Sequence, residues 1–106
     1  MSGFFALMPY GKTHIPEAIR FAHYVNNVRF WFAAHPTPGD IGSYTVSHWS
    51  LGMKVCTFGT FRISAFRGGV KSAAKHALDK FCEEKTHARV YDVMTRAEKQ
   101  AVEVKQ

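Results

Sequence analysis

No aspartate or glutamate occurs between Asp40 and Asp79, and this gap is the most telling absence in the chain. Hydrolytic and nuclease sites gather carboxylates beside His or Lys, so residues 41–78 offer no such machinery, and the expectation is a protein that is not an enzyme. Cysteine is scarce as well. Cys56 and Cys82 are too few for a disulfide framework and belong to no CxxC pair. The histidines His14, His23, His35, His48, His76 and His87 are scattered without HxxxH spacing. No metal and no cofactor is therefore expected. Nor does any segment approach the roughly 18 apolar residues of a membrane span. The opening MSGFFALMPYGK lacks the basic start of a signal peptide. A reducing, cytoplasmic setting without a membrane partner is the expectation. Repeats and low-complexity tracts are also missing, which leaves residues 1–106 as a single domain.

What is present is basic and aromatic. Apolar residues at 46% and charged residues at 21% predict a soluble globular domain with a modest core. Aromatics at 14% are somewhat rich; a small aromatic-rich core is the ordinary account, and rings surplus to it and available to a partner are the alternative. The formal charge of +6 favours an anionic partner. It is concentrated in residues 54–106, which carry net +5 against +1 for residues 1–53.

The run Phe-Phe-Ala-Leu-Met at 4–8 reads as a strand closed by Pro9 and Gly11. Thr13 as N-cap, with Pro16 and Glu17 behind it, predicts a helix over about 14–27. That helix would place Ile15, Ala18, Ile19, Ala22 and Val25 on one face and end at Asn26-Asn27. Residues 28–34 read as a strand, with one longer helix to Ala34 as the rival. His35-Pro-Thr-Pro-Gly-Asp40 reads as a loop. Residues 43–49 alternate as a strand, and Ser50-Leu51-Gly52 supplies a hairpin loop. A long strand is expected over 53–66, with Gly59 as a bulge or a second tight turn. After Gly68-Gly69, an alanine-rich amphipathic helix spans 70–85. Residues 88–104 fit either a strand followed by a helix or one helix from about Thr86. The sum is an α+β fold, with a mostly antiparallel sheet of about four or five strands covered by helices 14–27 and 70–85.

The 70–85 helix carries its charges against its own dipole. Lys71 and Lys75 sit in its N-terminal half, while Asp79, Glu83 and Glu84 fill the C-terminal half. Each adverse placement costs about 0.3–1 kcal/mol, and the i,i+4 pairs Lys75–Asp79 and Lys80–Glu84 recover only a few tenths of a kcal/mol. An anion at the helix start would account for the lysines, because free backbone N–H groups there favour phosphate. Gly68 and Gly69 allow close approach, and Arg67, Lys71 and Ser72 flank them. The plain alternative is a soluble helix after an ordinary turn. A second candidate is the outer strand face, where Lys54, Phe58, Arg62 and Phe66 alternate basic and aromatic; the alternative there is that the rings are core.

Gly69-Val-Lys-Ser-Ala-Ala-Lys-His-Ala77 resembles the helix start of double-stranded-RNA-binding domains. Lys71, Ala74, Lys75 and Ala77 fall on matching positions, and Ser72 stands where a lysine is expected. The resemblance implies lysines straddling phosphates and a helix–strands–helix order; the Gly-Pro-x-His element of that family is missing. The expected function is non-enzymatic nucleic-acid binding, DNA or RNA, through phosphates at Arg62, Arg67, Lys71 and Lys75. The alternative is a protein-binding adaptor or inhibitor, of the kind found among accessory proteins of phages and plasmids. It would dock on an acidic surface of a nucleic-acid-processing enzyme and would need an apolar patch beside the basic one.

Overall fold

Alternation of apolar side chains on either side of Asn26-Asn27 organises the N-terminal half. The computed structural model describes residues 3–8 and 11–105. Strands β1 (Phe5–Met8) and β2 (Gly11–His14) form an antiparallel hairpin of their own, and Pro9 lies outside the described residues. Strands β3 (Ile19–Val25), β4 (Val28–Thr37), β5 (Asp40–His48) and β6 (Lys54–Gly59) make an antiparallel meander in the order β3-β4-β5-β6. A short 3-10 helix (Thr60–Ala65) follows, then α1 (Val70–Lys85) and α2 (His87–Lys105). One α+β domain results.

The helix expected over 14–27 is instead the β2–β3 connection and β3. Asn26 and Asn27 both adopt positive φ, 53° and 67°, and Val25 pairs with Val28. That is the two-residue hairpin turn that asparagine tolerates best, so the pair turns a hairpin where helix termination was expected. Phe21 and Val25 on β3 then share a sheet face with Phe30 and Phe32 on β4, and Phe21 stacks on Phe32 with centroids 5.6 Å apart. Cross-strand packing of β-branched and aromatic residues outweighs the helical periodicity.

The strand reading of 28–34 holds and extends further than expected. β4 runs through His35-Pro36-Thr37, so the loop expected over 35–40 shrinks to Pro38-Gly39. Gly39 at φ 80° follows a proline, the residue order a type II turn uses. Pro36 cannot donate to the ladder, and the register shifts beside it. The long strand 53–66 is also corrected. It ends at Gly59 because the chain turns into the 3-10 helix there, and Phe61 and Arg62 are both exposed on that helix. At the C-terminus the single-helix reading holds: α2 begins one residue after Thr86.

The sheet is covered on both faces. On one, Phe21, Phe32 and Val46 pack against Ala73, Ala74, Leu78 and Cys82 of α1 and Val90 and Met94 of α2. The small alanines let α1 lie close to the strands. On the other face, Phe4, Ala6 and Ile15 from the hairpin region close over Ala33 and Trp49. The hairpin is held by Leu7 N–H donating to the Gly52 carbonyl at 2.8 Å.

Candidate nucleic-acid interface

The basic corner of the molecule is built by the 3-10 helix, the Gly68-Gly69 turn and the first turns of α1. Gly69 sits at φ 67°, accessible to glycine without strain, and it caps α1 with no side-chain hydrogen bond. The first turn of α1 holds no acidic residue either. Its leading N–H groups therefore have no side-chain cap. A Cβ on Gly68 would lie 1.9 Å from Ser72 Oγ, so Gly68 is required for Ser72 to fold back against the turn. Arg62, Arg67 and Lys71 are exposed, and Lys75 and Ser72 are half-buried.

Arg67, Gly68, Gly69, Lys71, Ser72 and Lys75 lie along the turn and the first turns of α1, Arg62 lines a groove with Phe61, Lys80 and Glu84, and two other expected residues stand apart. Phe58 is buried, stacked on Tyr44 with centroids 5.7 Å apart, and belongs to the core. Lys54 lies at the opposite end of β6, paired across from Ser47. The basic–aromatic alternation along one strand face does not form, because β6 stops at Gly59. Phe66 is half-buried against His76.

Phe61 takes the place the expectation gave to Phe58. It is 77% exposed, and the Arg62 guanidinium lies 5.8 Å from its ring centroid. Its ring also stands where a Cβ on Gly59 would be, 2.4 Å away, so glycine at 59 is what lets the ring lie there. Strict alternation with Lys54, Phe58, Arg62 and Phe66 outward would turn Phe61 inward; the glycine interrupting the run was the available signal against it.

The cations remain electrostatically uncompensated. Among the described residues no Lys or Arg makes an ion pair; the acidic partners recorded belong to histidines. The expected Lys75–Asp79 and Lys80–Glu84 pairs do not form. Asp79 instead reaches across to His23 on β3, with Oδ1 2.7 Å from Nε2. The cation contacts that do occur are with rings. Arg20 lies over Trp31 at 4.1 Å and Trp49 at 5.1 Å, and Arg29 over Trp31 at 5.2 Å. These cover the sheet face away from the helices and were missed because β3 was read as a helix.

His35, Asp40 and His48, a His–Asp–His set close in sequence, do not form one site. His35 is buried under the hairpin, whereas His48 faces the helices, where its Nε2 lies 3.0 Å from Glu98 Oε1. Asp40 accepts from the Gly42 N–H. Among the described residues no group of three His, Cys, Asp or Glu could hold a metal, and no helix is long and apolar enough to cross a membrane. Burial, with Cys82 nearby, pushes the Cys56 thiol up to about 12, so it stays protonated and behaves as a small apolar side chain.

The β-strand at 19–25 and the paired C-terminal helices depart from the helix–strands–helix order that the resemblance to double-stranded-RNA-binding domains implies. Compared with known protein families, curated proteins and solved structures, the chain matches none of them.

Proposed function

We propose that the protein binds nucleic acid without chemistry, holding the phosphate backbone at the corner formed by the 3-10 helix and the start of α1. The observation that carries this reading is an exposed aromatic ring, Phe61, beside the Arg62 guanidinium, with Arg67 and Lys71 following along the chain and no Lys or Arg ion pair among the described residues. A base stacked on Phe61, with phosphates on Arg62, Arg67, Lys71 and Lys75, uses both features at once. Single-stranded DNA or RNA fits this better than a duplex, since only an unpaired base offers its face.

The test is fluorescence anisotropy with single-stranded and duplex oligonucleotides across a salt series. Four phosphate contacts predict a slope of log affinity on log salt near −3 for single strands, about −0.7 per contact. Arg67→Glu and Lys71→Glu should each flatten that slope by about one contact. Phe61→Ala should weaken binding by about 1–3 kcal/mol with the slope unchanged. Failure to bind any oligonucleotide at low salt sinks the reading.

A second reading, an adaptor docking on an acidic protein surface, is favoured by a different observation. A groove of about 260 Å³ runs between β6, α1 and α2, floored by Val55, Phe81, Val90 and Met94. Lys54, Lys85 and Arg89 line it with no acidic residue among them. An acidic segment carrying one bulky apolar side chain would suit that chemistry. Val93→Glu on the groove wall, which leaves the basic corner intact, should abolish capture of such a peptide and leave oligonucleotide binding unaltered.

A further inference from the structure

On the sheet face opposite the helices, under the β1–β2 hairpin, lies a cleft of about 270 Å³. Its floor is polar, although the rest of that buried layer is apolar: His35, Thr37, Thr45 and Ser47 line it, with Lys54 beside Ser47 across the strand pair. The hydrogen bonds fix the protonation pattern of the central pair. His35 Nδ1 lies 2.9 Å from the Pro36 carbonyl oxygen, which can only accept, so Nδ1 carries the proton and donates. Nε2 is then an open lone pair, 3.0 Å from Ser47 Oγ, and the Ser47 hydroxyl must donate to it. A serine hydroxyl donating to an imidazole whose tautomer is set by a third group is the arrangement of an activated nucleophile, with a backbone carbonyl in the orienting position.

The backbone around the pair is irregular in a way that supports the same conclusion. One register shift lies between Pro36 and Thr37, next to His35, and the other between Val46 and Ser47. The second sets Lys54 opposite Ser47, leaving Val55 without a partner in the ladder. Bulges of this kind concentrate where a side chain must be re-aimed. Thr37 holds Thr45 and Ser43 through hydroxyl contacts at 2.7 and 3.0 Å, so the polar floor is fully paired and rigid. No buried side-chain polar atom among the described residues lacks a partner.

We propose that Ser47 is a nucleophile toward small acyl esters, with His35 as its general base and the cleft as the acyl site. Ala6, Leu7, Met8 and Pro38 supply the apolar wall for a short acyl chain. The volume is at the low end for ligand pockets, so the acyl group is short. His35 and Ser47 are each only 1% exposed, so approach is through the cleft, past Leu7, which is 47% exposed at its edge. In the first step Ser47 Oγ bonds to the carbonyl carbon while its proton passes to His35 Nε2. The ester C–O bond then breaks and the departing alkoxide takes that proton. Solvent water, deprotonated by the same nitrogen, releases the carboxylic acid and returns the proton to Ser47 Oγ. No redox partner is needed. The site is separate from the basic corner, which lies on the helix side of the sheet.

The test uses an alkyl fluorophosphonate probe and p-nitrophenyl butyrate on the full chain. Labelling is expected on Ser47, located by peptide mass spectrometry. Ser47→Ala should abolish both labelling and turnover, and His35→Gln should slow them by about 10²–10⁴-fold, the range for loss of a general base. Arg96→Gln, at an exposed position of α2, should change neither. Absence of labelling in the folded wild-type protein, labelling at another residue, or an unchanged rate in His35→Gln overturns the proposal. Because the wild-type adduct is mapped directly, the result does not depend on the variants folding.

Discussion

His35 shows how one side chain carries an electrostatic consequence for the entire fold. Burial lowers its pKa from the usual 6.5, opposed by its bond to the Pro36 carbonyl and by the charge of Glu17. In the unfolded chain the imidazole protonates near 6.5; in the folded protein it resists until more acid conditions. Between those values the unfolded state binds more protons, so stability rises with pH and is lost as pH falls below 6.5. Urea unfolding midpoints should be flat above neutrality and fall on the acid side. His35→Asn, which can still donate to the Pro36 carbonyl, should have a shallower acid slope than wild type. The polar character of this site was legible as a pattern, since Ser43, Thr45 and Ser47 alternate along one strand. Its pairing with His35 was not, because that depends on β4 continuing through Pro36.

At the scale of elements, the junction between α1 and α2 is a single residue under strain. Thr86 adopts φ 70° and ψ 141°, a region open to glycine but costly for a β-branched side chain, by about 1–3 kcal/mol. Its hydroxyl also accepts from the Arg89 N–H at 3.3 Å and so caps α2. Replacing a capping threonine by glycine costs only a few tenths of a kcal/mol, and the added freedom of the unfolded chain costs about 0.5–1 kcal/mol. Relief of strain is the larger effect, so Thr86→Gly is expected to stabilise the protein by about 1 kcal/mol. Thr86→Ala, which keeps the strain and removes the cap, should destabilise it by about 1 kcal/mol. Thermal melts of the two variants check the sign, with about 4–8 °C per kcal/mol for a domain near this size. The helix α1 itself was fully legible: its apolar arc, alanine content and Gly-Gly start agree with one another. Thr95 followed by Glu98 has the spacing of a capping box, yet Thr95 lies inside α2. Its hydroxyl donates back to the Tyr91 carbonyl inside α2 rather than starting a helix.

For the whole molecule, a charge of +6 without ion pairs on Lys or Arg among the described residues means that self-repulsion opposes the compact state. Screening relieves it, so raising salt from about 0.05 to 0.5 M, where the Debye length falls from roughly 14 to 4 Å, should raise the melting temperature by a few degrees. A lowered melting temperature over that range would show that attraction between opposite charges dominates instead. The same salt weakens the proposed nucleic-acid contacts, so stability and affinity should move in opposite directions. The sequence by itself determined the α+β class, helix α1, the basic second half and the acid-free window, because composition and strong local periodicity act without a partner. Tertiary structure decided that residues 19–25 pair as a strand, since their apolar spacing serves a helix or a strand and only Phe32 and Phe30 opposite settle it. It also decided where the chain leaves β6. Gly59 turns the corner there, and the aromatic ring left beside the cations is Phe61.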